Sequence, residues 1–326
     1  MKLSQLGRLA LRGIRPFEAN VQSSVRFATW RTIKVPKREA KLAPKNVEEK
    51  TPSEKITIAQ PTINFDFPQV LNRLPADIKE LSVIDFPLFN PWRQDTLKDR
   101  MSESELDFQQ KREQILKSAS ISATAFPSVT KILQVSMSDA ARANLDKWRA
   151  GMVEKLGEVG FVEYQRNLFA RGSALHRNIA QKLQGEDVTK VPKLIDGLWK
   201  SLTHVFPNVH DVRVIEQHIT HPFLCYKGVA DCVAVYDNEL LLIDWKTSSR
   251  EKPDLFSLYD EPLQAVAYMG ALNFDKKFDY QVNQMAVVIA YEDGRPATVH
   301  KMSQLYCRDY WKQWLARLKM YYDASV

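Results

Sequence analysis

Cysteine is scarce in this sequence. Three of the 326 residues are cysteine, Cys225, Cys232 and Cys307, and no two of them form a CxxC pair. That spacing excludes a zinc site built on paired thiolates. Cys232 falls within a run of Val and Ala and is expected to be a buried apolar side chain. No apolar run approaches the roughly 20 residues of a membrane-spanning helix, so no membrane insertion is expected. Acids are nearly missing from residues 1–27, where Glu18 stands alone against five Lys and Arg. Residues 28–60 carry no aromatic after Trp30, and eight Lys and Arg against four Glu. These two segments account for more than the formal charge of +7 and leave residues 61–326 at −1. The basic balance therefore belongs to the N-terminus and is no evidence that the globular part binds nucleic acid.

Residues 1–27 interleave Leu3, Leu6, Leu9 and Leu11 with Arg8 and Arg12. An amphipathic, Arg-bearing, acid-poor leader reads as a mitochondrial transit peptide, and the matrix as the destination. Arg26-Phe27-Ala28 resembles a matrix-protease cleavage site. Residues 28–60 lack the apolar content for a core and read as a disordered basic linker. Residues 61–120 form an extended arm packed on the core. Phe65, Phe67, Phe86, Phe89 and Trp92 alternate there with five prolines, and Ser102-x-x-Glu105 is a capping box for a charged helix. The arm either packs or touches DNA.

Residues 121–326 are the compact domain. Ala141, Leu145, Trp148, Met152 and Leu156 mark an amphipathic helix ending near Gly157. A second helix is expected over 162–183 with Leu168, Leu175, Ile179 and Leu183 inward and His176 beside that stripe. Gly172, one turn earlier, opens the same face. A third runs from about Lys193 to Val205. Val212, Val214 and Glu216 share a face of a following strand. Gln284–Tyr291 and Ala297–Met302 are later strands, and Leu305 to Tyr322 is the last helix, with Tyr310, Trp314 and Leu318 at i, i+4 and i+8 and its aromatics either core or base-stacking.

The stretch Gly228–Ser248 organises the domain. Gly228–Tyr236 and Glu239–Lys246 read as a β-hairpin across Asp237-Asn238. With Tyr236 opposite Glu239, Asp231 falls opposite Asp244, and Asp244 shares a face with Lys246. Two carboxylates and one ammonium on an apolar face are costly unless compensated. A divalent cation with oxygen ligands, Mg²⁺ or Mn²⁺, compensates them. A surface hairpin with one salt bridge is the plain alternative.

Gly228-Val-Ala-Asp231 followed by Asp244-Trp-Lys246 resembles the core motif of the RecB-like branch of the PD-(D/E)xK nucleases. Gly172-Ser-Ala-Leu-His176, Glu216 and Gln264-Ala-Val-Ala-Tyr268 are similar to that branch's further motifs, in the same order. Within the branch, the sequence resembles the mitochondrial genome maintenance exonuclease family. The resemblance implies an α/β fold with a restriction-endonuclease-like core, a mixed central sheet flanked by helices. It implies hydrolysis of single-stranded DNA at free ends in mitochondrial DNA replication, repair and maintenance. It places Asp231, Asp244 and Lys246 in catalysis, and Asp231, Asp244, the Trp245 carbonyl at an exposed strand end, His176 and Glu216 around Mg²⁺ or Mn²⁺. For His176 the alternative is a satisfied histidine, and for Glu216 an edge-strand glutamate.

Gln264 and Tyr268, i and i+4 on one helix, lie near the DNA, or Tyr268 is core. Thr247 and Ser248 bond phosphate oxygens or make a turn. Some relatives in the branch carry a four-cysteine iron–sulfur cluster, which three cysteines cannot supply. A monomer is expected, with single-stranded DNA and other mitochondrial DNA replication proteins as partners. An endonuclease of the same chemistry and a non-catalytic DNA-binding protein are the alternatives.

Overall fold

The computed structural model describes residues 86–90, 93 and 126–324. The transit peptide, the linker, most of the arm and the helix expected after Ser102 lie outside the described residues. A five-stranded sheet in the order β1-β2-β3-β4-β5 forms the centre. Its strands are β1 (Val209–His221), β2 (Tyr226–Tyr236), β3 (Glu239–Ser248), β4 (Gln284–Tyr291) and β5 (Thr298–Met302). The first three make an antiparallel meander, β3 and β4 run parallel, and β5 returns antiparallel. This is the mixed α/β sheet expected of a restriction-endonuclease-like core.

Helices follow from the sequence between the strands. The parallel β3–β4 pair needs a crossover, and α4 (Glu261–Phe274) supplies it. All of its residues from Pro262 to Phe274 are buried. It lies between the sheet and α5 (Gln304–Asp323), whose Trp314 and Leu318 have no exposed surface. Short α1 (Val129–Val135), capped by the Ser128 hydroxyl, joins this layer. On the opposite face, Leu175 and Ile179 of α2 (Asp139–Leu183) and Leu198 and Leu202 of α3 (Asp196–Leu202) cover Ile243, Trp245 and Val288.

Two helices expected around Gly157 abut without a gap. Gly157 takes φ 70°, ψ 165° and kinks one continuous helical stretch. The apolar stripe before the kink is not a core face, since Trp148 and Leu156 are exposed. The expected third helix begins as a 3-10 turn, Lys193–Ile195, and its α part ends at Leu202. Of the arm, Phe86 and Leu88 are buried among core residues, and the Phe86 carbonyl accepts from Trp311 Nε1 at 2.6 Å.

One arginine ties the helical layer together. Arg317 of α5 donates to the Leu133 carbonyl (2.5 Å) and Ser136 Oγ (2.7 Å) at the end of α1, and to both Asp260 carboxylate oxygens (3.3 Å) before α4. Among the described residues no helix is long and apolar enough to cross a membrane.

Candidate active site

The hairpin forms in the expected register. Asp237 (φ 48°) and Asn238 (φ 66°) both take left-handed backbone at the turn, the conformation for which short polar residues are favoured in a two-residue hairpin. Tyr236 pairs with Glu239, and the ladder continues to Cys232–Ile243. There it opens. Asp231 and Asp244 do not continue it; instead the Trp245 N–H donates to Asp231 Oδ2 at 3.0 Å. A side-chain oxygen thus replaces a ladder carbonyl, and the carboxylate is fixed at the strand divergence.

The neighbouring strand is irregular at the same level. The β1–β2 register shifts between His210 and Val214, and Glu216 adopts φ 48° between the pairs Ile215–Cys232 and Gln217–Ala230. Val212, Val214 and Glu216 therefore do not share a face as expected. Val214 packs with the α4–α5 layer and Val212 with the α2–α3 layer, because the register shift separates them. A left-handed, non-glycine residue inside a strand costs about 1–3 kcal/mol and persists where surrounding contacts impose it. Here Glu216 Oε1 meets His176 Nδ1 at 2.9 Å.

His176 reaches in from α2 and is engaged at both ring nitrogens. Its Nε2 donates to the Trp245 carbonyl at 3.1 Å, and its Nδ1 also lies 3.8 Å from Asp231 Oδ2. The Trp245 carbonyl, expected at an exposed strand end, is instead buried and occupied, because β3 runs on to Ser248 along β4. Burial alone would lower the His176 pKa. Asp231 and the Glu216 hydrogen bond overcome it and lift the imidazole to about 9, so it is a cation at neutral pH.

Asp244 and Lys246 point the same way from β3. Lys246 Nζ lies 2.5 Å from Asp244 Oδ2. Burial raises the Asp244 carboxyl, Lys246 pulls it down and Asp231 pushes it up, leaving it at about 6. For Lys246, burial opposes charge, but Asp244 and Asp231 hold the ammonium above its ordinary range.

One atom from each of His176, Glu216 and Asp231 lies within 4.8 Å of the others, a grouping able to hold a cation. Asp244 Oδ1 and Glu216 Oε2 are buried and have no hydrogen-bond partner among the described residues. Buried carboxylate oxygens without donors are expensive, and oxygen donors beside one imidazole suit a hard divalent cation. The residues present therefore fit the ion that the sequence pattern implies.

These groups open into a cleft of about 230 Å³ walled by Thr130 and Leu133 of α1, Gly172 of α2, Thr247 of β3, and Gln264 and Tyr268 of α4. An edge of the Tyr268 ring stands against Gly228. A Cβ there would stand 2.5 Å from Tyr268 Cε1 and 2.6 Å from Cδ1, so the first glycine of the hairpin motif makes room for the last tyrosine of the helix motif. Gly228→Ala is expected to cost about 1–3 kcal/mol by overpacking. In Gly228→Ala/Tyr268→Ala the alanine at 228 is expected to cost far less, which urea melts of the four proteins will read as non-additivity.

Ser248 does not line the cleft; its hydroxyl donates to the Arg250 carbonyl at 2.6 Å and accepts from the Arg250 N–H, shaping the turn. Tyr259 and Asp260, before α4, do line it and were not anticipated. The only sequence signal for them was their place just before the helix that carries Gln264.

A mixed five-stranded sheet, helices on both faces, and a carboxylate–lysine cluster where two strands part define the α/β class with a restriction-endonuclease-like core. No protein-family model matches the chain. It is 38% identical to Mitochondrial genome maintenance exonuclease 1 of Homo sapiens over 243 residues, 74% of this chain and 67% of that protein. The Mus musculus protein of the same name is 38% identical over 244 residues, 74% of this chain and 68% of its own. That of Xenopus tropicalis is 40% identical over 197 residues, 60% and 57% of the two chains. The chain belongs to the mitochondrial genome maintenance exonuclease family.

Proposed function

We propose that this protein is a divalent-metal-dependent exonuclease that hydrolyses single-stranded DNA from free ends in the mitochondrial matrix, serving replication and repair of mitochondrial DNA. Family membership makes it a DNA exonuclease, a hydrolase of phosphodiester bonds, at work on the mitochondrial genome. The observation that carries the mechanism is the buried, donor-less oxygen of Asp244 beside Lys246 and Asp231.

Asp231 and Asp244, with Glu216 and His176 behind them, would hold Mg²⁺ or Mn²⁺. When bound, such an ion withdraws charge from phosphoryl oxygens and makes water a stronger nucleophile near neutral pH. Lys246 keeps its proton beside Asp244. It acts by donating hydrogen bonds, holding the attacking water and stabilising charge on the phosphate, and not as a base. The Trp245 N–H fixes the Asp231 carboxylate, and His176 fixes Glu216 and the Trp245 carbonyl. Gln264, Tyr268 and Thr247 face the strand as hydrogen-bonding and packing groups. Ser248 shapes the turn behind them.

The test uses the full chain with linear single-stranded, circular single-stranded and duplex DNA, each in Mg²⁺ and in EDTA. Metal-dependent loss of the linear single strand alone is expected. Cutting of the circle would make the enzyme an endonuclease. Metal-independent binding without cleavage would make it a DNA-binding protein.

A further inference from the structure

The segment between β3 and α4 exposes two aromatic rings. Phe256 is 94% exposed and Tyr259 82%, on a 3-10 turn, Leu255–Ser257, and the residues just after it. Water-facing rings this bare are unusual on a segment that is otherwise closely bonded. The Lys252 N–H donates to the Tyr291 hydroxyl at 3.0 Å, and the Lys252 carbonyl lies 2.9 Å from His300 Nε2, which pins the segment to the sheet. Asp254 Oδ1 accepts from the Ser257 N–H at 2.8 Å, and Lys252 Nζ donates to the Ser257 carbonyl at 2.6 Å. Glu261 Oε2 accepts from the Tyr259 N–H at 2.7 Å. The rings are thus displayed from a braced turn.

Position gives Tyr259 a ligand. Tyr259 lines the same cleft as Asp244, Lys246 and Gln264. Lys252 Nζ sits 4.6 Å from the Tyr259 ring centroid, a cation against one face of that ring. An apolar protein partner would need a continuous patch, whereas one ring at the rim of a phosphate-handling cleft matches the flat face of a nucleobase.

We propose that Tyr259 is a stacking platform for an unpaired base of the strand whose backbone enters the cleft. This rests on the exonuclease reading and adds to it a specificity device. In a duplex both faces of an interior base are already stacked, so beyond the terminal pair only an unpaired base can offer a face to the ring. Base–aromatic stacking tolerates any sequence and corresponds to about 5- to 100-fold in affinity.

The experiment measures steady-state hydrolysis of linear single-stranded oligonucleotides by the full chain and by Tyr259→Ala, Phe256→Ala and Tyr259→Phe. A parallel set of oligonucleotides carries one abasic residue at successive positions near either end. Tyr259→Ala is expected to raise KM about 5- to 100-fold with little change in kcat, and Tyr259→Phe and Phe256→Ala, whose ring does not line the cleft, to stay near wild type. At one abasic position the wild type should lose the same factor, and Tyr259→Ala nothing further. Unchanged KM in Tyr259→Ala overturns the proposal. So does a full abasic penalty that persists in Tyr259→Ala, which would mark a role in shaping the turn. Should the wild type cleave no DNA, the exonuclease reading has failed. Stacking is then decided by a 2-aminopurine strand in EDTA. Fluorescence quenched by wild type but not by Tyr259→Ala upholds it, and no quenching by wild type overturns it.

Discussion

Lys246→Ala is expected to abolish hydrolysis while strengthening the response to a divalent cation. The ammonium 2.5 Å from Asp244 Oδ2 is the nearest positive charge to that carboxylate. With the lysine gone, the ammonium that holds the water and the phosphate is lost, and kcat should fall about 10²- to 10³-fold, the usual loss for one preorganised donor. In EDTA the variant should melt lower, because Asp244 then lies buried beside Asp231 without its counter-charge; breaking one side of a buried pair costs about 3–5 kcal/mol. Added Mn²⁺ no longer competes with the ammonium, so its gain in Tm should exceed that of the wild type. Asp244→Asn should lose both activity and the Mn²⁺ gain. An Mn²⁺ gain that disappears in Lys246→Ala would show that the lysine helps build the cation site and would sink the separation of roles.

The second large effect is one of pH. His176 has its imidazole raised from 6.5 to about 9 in the folded protein. A group raised in this way binds its proton more tightly folded than unfolded. Its stabilisation is complete below pH 6.5 and is lost as pH rises through about 9. The shift corresponds to about 3 kcal/mol. Asp244, raised to about 6, contributes stability that is lost as pH rises from about 4 to 6, and this lies below the window. The metal-free protein should therefore melt progressively lower from pH 6.5 to 9.5, by several degrees. His176→Gln should flatten that slope, and saturating Mg²⁺ should reduce it, since a cation near Glu216 and Asp231 replaces the proton's role. A slope that survives in His176→Gln would assign the transition to another group.

Much of the domain was legible because its signals were local. An Asx-Asx turn between two apolar runs set the hairpin register, and the pairing of Tyr236 with Glu239 is the register observed as far as Cys232–Ile243, one pair short of Asp231 and Asp244. Spacing also put Gln264 and Tyr268 on one helix face. What the sequence hid was long-range or backbone-dependent. The left-handed φ of Glu216 has no signature in a residue type that normally avoids it. The opening of the ladder at Cys232–Ile243, which hands the Trp245 N–H to Asp231, depends on three strands meeting. Tyr259 escaped notice because an exposed aromatic in a turn follows no periodicity. The stripe before Gly157 misled for the opposite reason: helical spacing of apolar residues says that a face exists, not that anything in the described fold covers it.

Arg317 bears on when this protein becomes a nuclease. The carboxylates reside on strands that precede it by more than 70 positions, yet the two walls of their cleft, the end of α1 and the start of α4, are joined through its guanidinium. A chain emerging from a ribosome or a translocation channel, N-terminus first, exposes every catalytic group before it can join those walls. The tie between the walls can form only once α5 has been made, so an unfinished chain carries the charges of the site without that tie. The guanidinium that holds the rim of a hydrolytic site together is thus made after every acidic group that the rim serves.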